Sequence, residues 1–222
     1  MFKKVLIAED MDDINKGVYA TLKEMGVRHI DQAQYCDDAY LKVQKAIANG
    51  TPYDLLITDL SFKNDYRVQY YTSGLDLVKA LREKEIAIPV IVYSVEDRLQ
   101  PVRTFINIYK ASGYVCKGRH GLKDLVRAVN QAYSSEEPFL SFSVEKALKS
   151  SESNDINDYD IQLLNQLAKG HSQTQISANF AKNNISPNSL SSIEKRLTKL
   201  KDIFRANNSA HLVAKAKDSG FI

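Results

Sequence analysis

The first 133 residues alternate short β-rich runs with amphipathic helical runs, and this order restricts the fold more than any other feature. Between the β-rich runs, apolar residues recur at the three- and four-residue spacing of helices. Strands that alternate with helices form a parallel sheet, because each helix returns the chain to the start of the next strand. We therefore predict an α/β domain with five helices and strands at Lys4–Ala8, Arg28–Ala33, Asp54–Thr58, Pro89–Tyr93 and Tyr114–Cys116.

Acidic residues follow the first and third predicted strands. Glu9 and Asp10 come after the first strand and Asp59 after the third. In a doubly wound sheet these strands are neighbours at the edge where ligands bind. Strands lie about 4.8 Å apart, so the three carboxylates can converge on one hard divalent cation, Mg²⁺ by preference. Ser94 and Lys117 follow the fourth and fifth strands, and a hydroxyl and an ammonium at that edge suit a phosphorylated carboxylate.

Short motifs at these strand ends resemble the receiver domain of two-component response regulators, and the resemblance covers residues 1–133. The motifs are Val-Leu-Ile-Ala-Glu9-Asp10, Asp54-Leu-Leu-Ile-Thr-Asp59, Ile-Val-Tyr-Ser94 and Gly113-Tyr114-Val-Cys-Lys117. The resemblance implies a flavodoxin-like, doubly wound, five-stranded parallel domain. It also implies that Asp59 takes a phosphoryl group from the phosphohistidine of a sensor histidine kinase.

The same resemblance implies a role for each residue of the predicted site. Mg²⁺ would be held by Glu9, Asp10, Asp59 and the backbone carbonyl of Ser61. Lys117 would contact the phosphoryl group, and Ser94 with Tyr114 would relay its presence. Such a domain catalyses only its own phosphoryl transfer and dephosphorylation, so we expect no separate enzymatic activity.

Two segments depart from the receiver pattern. Family members usually carry methionine-proline shortly after the acceptor, whereas here Leu60-Ser61-Phe62 and a long Tyr-rich segment at 63–73 follow Asp59. Gly118 stands where a proline often follows the lysine, which resembles the NarL/FixJ branch. Neither change removes a group that phosphoryl transfer needs.

The composition changes at residue 134. Residues 134–157 contain Ser-Ser-Glu-Glu-Pro and Ser-Ser-Glu-Ser-Asn-Asp on either side of a short helical piece, Val144–Lys149, which is typical of a linker. Residues 158–222 show helical periodicity without a strand pattern. We therefore predict a receiver at 1–133, a linker at 134–157 and a small all-α domain at 158–222.

A basic amphipathic helix is the main feature of the predicted all-α domain. Ser186-Pro187 predicts its start, because serine caps helices and proline suits their first position. Leu190, Ile193, Leu197 and Leu200 share one face, and the opposite face is polar and basic. Such a face suits a DNA major groove, but solvent exposure alone would explain it equally well.

The order of helices around it favours DNA. A helix ends at Gly170, another begins at Ser172, and the stretch Ile161–Ile176 resembles the LuxR-type helix-turn-helix domain, as does the closing stretch Ala210–Ile222. The resemblance implies contacts with double-stranded DNA through Asn188, Ser191, Ser192, Lys195, Arg196 and Lys199. It also implies a homodimer contact on the last helix, where Ala210 and Ala214 permit close approach. The turn at 181–185 is longer than in the family, and Ile193 replaces a usual histidine.

Bulk properties exclude several other classes. The longest apolar stretch, Ile86–Val95, is too short to cross a bilayer, so we expect a cytoplasmic protein with no membrane partner. Cys36 and Cys116 lack a second ligand at metal-binding spacing, which argues against zinc and against a disulfide framework. The formal charge of +3 neither requires nor opposes a nucleic-acid partner.

Three other functions share features with this sequence. A haloacid-dehalogenase phosphatase needs a second acid two residues after its nucleophile, where this chain has Ser61. A flavodoxin would place a phosphate at the loop after the first strand, but that loop is acidic here. The alternative that stays open is a phosphorylation-dependent regulator whose helical domain binds a partner protein instead of DNA.

Overall fold

The computed structural model describes residues 1–222 except 64, 97, 98, 153–155 and 220. The chain divides into two compact units, of which the first contains residues 1–97 and 101–145 and the second chiefly residues 146–222. Among the residues described, no helix combines the length and the apolar character that a membrane span requires.

The first unit is built on a parallel sheet. Its strands are β1 Lys4–Ala8, β2 His29–Ala33, β3 Leu55–Thr58, β4 Val90–Ser94, β5 Gly113–Cys116 and β6 Phe139–Leu140. Their order is β2-β1-β3-β4-β5-β6, so the predicted doubly wound sheet is confirmed and a sixth strand extends it. β6 was not predicted, because two residues are too few to show a strand period. The sheet nevertheless holds it by backbone bonds from Phe139 to Ser112 and from Ser141 to Tyr114.

Four helical segments connect the first five strands, and a fifth follows β5. They are α1 Asp12–Glu24, α2 Cys36–Ala48, α3 Gly74–Glu83, α4 Leu99–Arg103, which continues as a π-helical turn over Thr104–Ile108, and α5 Gly121–Ser134. Apolar residues of the central strands pack against α1 and α5 in one buried cluster. Gly26 and Gly50 follow α1 and α2 with φ of 85° and 68°, values that favour glycine at a helix end.

The predicted linker contains more regular structure than expected. Besides β6 it forms α6, Phe142–Glu152, which begins before and ends after the predicted piece Val144–Lys149. The division between the two compact units falls inside this helix, after Glu145. The proposed domain limits at residues 133 and 157 stay predictions.

The second unit is all-α, as predicted. Its helices are α7 Asp158–Ala168, α8 Gln173–Lys182, α9 Leu190–Phe204 and α10 Ser209–Asp218. Capping boxes at Asn157 with Asp160 and at Ser172 with Gln175 fix the starts of α7 and α8. Buried aliphatic residues from these helices, together with the aromatic Phe180, form one core.

The start of the basic helix was predicted wrongly. α9 begins at Leu190, and the side chain of Ser189 accepts the backbone N–H of Ser192 as its cap. The predicted start, Ser186-Pro187, lies in the preceding turn, and the peptide bond between these residues is cis. The Tyr159 hydroxyl donates to the Pro187 carbonyl at 2.7 Å and Ser177 donates to the Asn188 carbonyl at 2.6 Å. Contacts from two other helices thus hold this segment outside α9.

Candidate functional site

Three carboxylates meet at the carboxyl ends of β1 and β3. Ala8 pairs with Thr58, and the backbone N–H of Asp59 donates to the Ala8 carbonyl at 3.0 Å, so the residues after these strands are neighbours. One carboxylate oxygen from each of Glu9, Asp10 and Asp59 lies within 4.8 Å of the others. Glu9 is 2% exposed and Asp59 is 4% exposed. The residues predicted to form the site are therefore brought together.

Lys117 lies against two of these carboxylates. Its Nζ is 2.6 Å from Glu9 Oε2 and 2.6 Å from Asp59 Oδ2, and the lysine side chain is only 7% exposed. The sheet positions it, because the Lys117 backbone N–H donates to the Ser94 carbonyl at 2.7 Å. Burial raises the pKa of Glu9, and the neighbouring Lys117 ammonium opposes that rise without cancelling it.

Backbone N–H groups orient the same carboxylates. Met11 donates to Glu9 Oε1 at 3.1 Å, Leu60 to Asp59 Oδ1 at 2.6 Å and Lys63 to Asp10 Oδ2 at 2.8 Å. One ammonium cannot balance three carboxylates, so ionised side chains here leave excess negative charge. Hard oxygen ligands with that charge fit a divalent cation such as Mg²⁺.

Gly74 lies against the acceptor and was not singled out from the sequence. A Cβ at this position would lie 1.9 Å from the Asp59 carbonyl oxygen and 2.9 Å from Thr58 Oγ1. No side chain fits there, so α3 can begin directly beside Asp59 only with glycine. The sequence signal that could have identified it is its position directly after Ser73, a residue type that caps helices. The Ser73 side chain does cap α3, by accepting the backbone N–H of Asp76.

Ser94 and Tyr114 are both fully buried and share a partner. The backbone N–H of Glu96 donates to Ser94 Oγ at 3.3 Å, and the Tyr114 hydroxyl donates to the Glu96 carbonyl at 2.7 Å. The Tyr114 ring packs edge-on against Phe105 of the π-helical turn, with centroids 6.3 Å apart. The switch roles of Ser94 and Tyr114 were predicted from the sequence, but the part of Glu96, whose backbone connects them, was not.

The predicted DNA contacts fall in different environments of the second unit. Ser191, Lys195 and Lys199 are exposed on α9, whereas Ser192 is half-buried and Asn188 lies before the helix. A cleft of about 470 Å³ opens beside them, lined by Asn157, Tyr159, Ser186, Pro187, Ser192, Lys195, Arg196 and Lys199. The cleft and the exposed lysines together form a basic surface on this part of α9.

Arg196 has a structural partner. Its guanidinium makes two hydrogen bonds to the carboxylate of Asp160, which is fully buried on α7. The ion pair fixes α9 against α7, and Arg196 lines the cleft together with Ser192, Lys195 and Lys199. On α10, Leu212 and Ala216 face the core, whereas Ala210 and Ala214 are exposed, as a contact between copies would need.

Comparison with known proteins gives a family for the first unit and a fold for the whole chain. A family model described as the response regulator receiver domain matches residues 5–130. None of the curated proteins matches the sequence significantly.

Solved structures of RcsB are similar over nearly the full length. A structure of two RcsB dimers bound to two parallel DNAs has a TM-score of 0.65 at 20% identity, over 97% of this chain and 98% of that one. A structure of the Salmonella typhimurium RcsB response regulator has a TM-score of 0.61 at 20% identity, with the same coverage of both chains. A complex of the two-component response regulator RcsB with DNA has a TM-score of 0.62 at 19% identity, also over 97% of this chain and 98% of that one. At such identities the likeness shows that the fold is shared.

Proposed function

Because the chain belongs to the response regulator receiver family, we propose that it is a phosphorylation-controlled response regulator. Asp59 receives a phosphoryl group from a sensor histidine kinase, and the helical unit binds double-stranded DNA to regulate transcription. The observation that carries the first part is the contact of Lys117 with both Glu9 and Asp59, inside a cluster of three carboxylates at adjacent strand ends.

The residues of the site have separate roles in the proposed transfer. An Asp59 carboxylate oxygen attacks the phosphorus of the phosphohistidine, so that a P–O bond forms as the P–N bond breaks. Leu60 N–H and Lys117 hold the two oxygens of this carboxylate, which fixes its direction of attack. Lys117 then offsets the charge that the phosphoryl group brings. Glu9, Asp10, Asp59 and the Ser61 carbonyl would hold Mg²⁺, which supplies further charge neutralisation on the phosphoryl oxygens.

Relay of the phosphorylated state is proposed for Ser94 and Tyr114. Both contact Glu96, so a change in the Ser94 hydroxyl alters a backbone segment that Tyr114 also binds. Such a coupling connects the sheet edge with the π-helical turn around Phe105.

The phosphoacceptor assignment is tested with small phosphodonors. Incubation with acetyl phosphate and Mg²⁺ should add one phosphoryl group, detected by mass spectrometry of the intact chain, and chelation of Mg²⁺ should prevent it. Asp59→Asn should remain unmodified. Label that persists in this variant would refute the assignment.

The DNA proposal is supported by the order of α7, α8 and α9 and by the exposed Lys195 and Lys199. The structures of similar fold include RcsB bound to DNA. We propose that Ser191, Ser192, Lys195, Lys199 and Asn188 face the duplex, that Arg196 holds α9 against α7 beside them, and that phosphorylation favours a homodimer through Ala210 and Ala214.

Lys195 and Lys201 distinguish base contacts from general attraction. Random-site selection with the phosphorylated protein would supply a specific duplex. Lys195→Ala should cost about 1–3 kcal/mol on that duplex and relax sequence preference, as loss of a base contact does. Lys201 lies near the end of α9, so Lys201→Ala should weaken binding to the specific and the scrambled duplex by similar, smaller amounts. Titrations at two salt concentrations separate the two effects, because phosphate contacts set the salt dependence.

One observation favours a partner protein as the alternative. The turn at 181–185, which we predict to be longer than in the family, leads into a connection whose Ser186 and Pro187 line the cleft beside α9. If Lys195→Ala binds both duplexes as the parent does, α9 does not read DNA and the protein-binding alternative takes precedence.

A further inference from the structure

The segment between β3 and α3 forms a closed loop directly after the acceptor. Ser61 and Ser73 make an antiparallel bridge, and Gly74 N–H donates to the Leu60 carbonyl at 3.1 Å. These contacts bring the two ends of the segment together. The described residues between them, 62, 63 and 65–72, are called here the 62–72 loop, and they leave the sheet and return to it at the edge that carries Asp59.

The 62–72 loop touches the carboxylate cluster through one backbone group. The N–H of Lys63 donates to Asp10 Oδ2 at 2.8 Å. Asp10 follows β1 and the loop follows β3, so this bond orients a carboxylate that comes from a different strand end of the sheet. Ser61, at the base of the loop, carries the carbonyl assigned to Mg²⁺, and the loop therefore bears on two of the proposed ligands.

The rest of the loop is fastened to the first turn of α2. Arg67 makes two hydrogen bonds to Asp38, at 2.6 and 3.0 Å, and its guanidinium lies 4.4 Å from the centre of the Tyr35 ring. The Tyr35 hydroxyl donates to Asp65 Oδ2 at 2.6 Å. Three contacts thus join two loop residues to two residues at the start of α2.

A second set of bonds fastens the end of the loop. Both oxygens of Asp37 accept backbone N–H groups, from Tyr70 at 3.0 Å and from Tyr71 at 2.9 Å. The Tyr71 ring packs on Tyr40, with centroids 4.9 Å apart. Tyr66, between Asp65 and Arg67, is 99% exposed, and Val68, between the two fastened regions, is 84% exposed. The loop is therefore held along its inner side and open along its outer side.

We propose that the 62–72 loop is a positioning element of the phosphoryl-transfer site, and that Arg67, Asp38 and Tyr35 act as positioning residues for the Mg²⁺ ligands Asp10 and Ser61. Fastening to α2 fixes the path of the loop, and the fixed path presents Lys63 N–H to Asp10. Hydrogen bonds to ligating carboxylates raise metal affinity by holding the ligands in place. This inference rests on the proposed function, because it assumes a Mg²⁺ site.

The effect expected of the fastening is moderate. Loss of a group that bonds a metal ligand directly lowers metal affinity by roughly 10- to 100-fold. Arg67 acts one step further away, so Arg67→Ala should raise the Mg²⁺ dissociation constant by about 3- to 10-fold. The lifetime of the phosphoryl group on Asp59 should change as well, because the same ligands surround it.

The test uses the full chain and MgCl₂ alone. Isothermal titration calorimetry gives the Mg²⁺ dissociation constant of the parent, Arg67→Ala, Arg67→Lys and the control Tyr66→Ser, which alters the same loop at a fully exposed side chain. Amide hydrogen exchange at Lys63, Tyr70 and Tyr71 reports whether the loop has been released. Asp37→Asn, which weakens the second fastening, is a further variant in case the first does not fold.

The expected result is weaker Mg²⁺ binding and faster exchange in Arg67→Ala and in Asp37→Asn, with Arg67→Lys intermediate and Tyr66→Ser like the parent. A swapped pair, Asp38→Arg with Arg67→Asp, should recover much of the affinity. Parent-like Mg²⁺ affinity in Arg67→Ala, with or without faster exchange, would overturn the proposal and leave the phosphoacceptor assignment intact. A parent protein that binds no Mg²⁺ would remove the proposed metal site and this inference with it.

Discussion

Lys117 is the residue on which the electrostatics of the first unit depend. It is nearly buried, and its ammonium contacts the carboxylates of Glu9 and Asp59, whose side chains taken alone are 3% and 5% exposed. Charged groups in such a place persist only when they are paired. Even with this partner the pKa of Glu9 is raised, since burial outweighs the attraction of the lysine.

Replacement of Lys117 by methionine should therefore destabilise the protein when Mg²⁺ is absent. Removal of one partner from a buried ion pair costs about 3 kcal/mol or more in the free energy of unfolding. Added Mg²⁺ should restore part of the loss, because a cation again faces the carboxylates. Urea unfolding with and without Mg²⁺ measures both effects. Lys79→Met, at an exposed pair with Glu83, is the control and should change little.

The loss in Lys117→Met should also depend on pH. A carboxyl whose folded-state pKa lies above its unfolded value stabilises the fold below the unfolded pKa, and this contribution disappears as pH rises through the folded pKa. Glu9 is such a group already, and removal of the lysine raises its pKa further. Unfolding of the variant near pH 5 should accordingly show a smaller loss than near pH 8. An equal loss at both values would mean that lost packing, not charge, destabilises the variant.

Residues at strand ends were predictable, but their packing partners were not. Glu9, Asp10, Asp59 and Lys117 could be placed at one sheet edge, because strand order alone fixes where strand ends meet. Gly74 escaped prediction because its role depends on the distance between a Cβ and a carbonyl from another segment. The pairing of Arg196 with Asp160 was not predicted either, since periodicity shows which face is polar but not which polar residue finds a buried partner.

At the scale of elements, α7 and α9 are joined by a buried ion pair. Asp160 is fully buried, and the Arg196 guanidinium makes two hydrogen bonds to its carboxylate. Asp160 also belongs to the capping box of α7, since its side chain accepts the N–H of Asn157 at 2.8 Å. One carboxylate therefore fixes both the start of α7 and the position of α9.

Arg196→Met should lower the free energy of unfolding of the second unit by about 3 kcal/mol, because it leaves Asp160 buried without its partner. The double variant Asp160→Asn with Arg196→Met should recover part of this loss, since an uncharged amide costs less to bury. Circular dichroism during urea unfolding measures both. If the single variant is as stable as the parent but loses DNA affinity, Arg196 contacts DNA and does not support α9.

Element boundaries were predicted well where local signals agreed with tertiary contacts. The helix end predicted at Gly170 agrees with its positive φ, the start predicted at Ser172 agrees with a capping box, and β1 has the predicted bounds. The start of α9 was missed because Tyr159 and Ser177 hold the Ser186-Pro187 segment in the turn, and Ser189 caps the helix instead. Such long-range contacts override a local capping signal, and no periodicity reveals them.

At the scale of the whole molecule, the net charge of +3 is small, so the DNA affinity that we propose would come from local lysines and from the number of half-sites that bind together. Two weak half-site contacts become one strong interaction when they are joined, because the second binds at a high effective concentration. Dimerisation is thus the simplest way in which phosphorylation of Asp59 could control DNA binding.

Ala214 tests this connection, because it is exposed on α10 and faces away from the buried Leu212 and Ala216. Ala214→Glu should place like charges against each other in a dimer, without changing phosphorylation of Asp59 or the fold of the second unit. Sedimentation with the acetyl-phosphate-treated protein should then show monomers. On a duplex with two half-sites, the gain in affinity on phosphorylation should fall by at least about 10-fold, whereas affinity for a single half-site should stay unchanged. Ala48→Glu, at an exposed position near the end of α2, is the matched control. If Ala214→Glu still dimerises and binds as the parent does, the contact between copies lies elsewhere, because a glutamate buried at the centre of such an interface would not be tolerated.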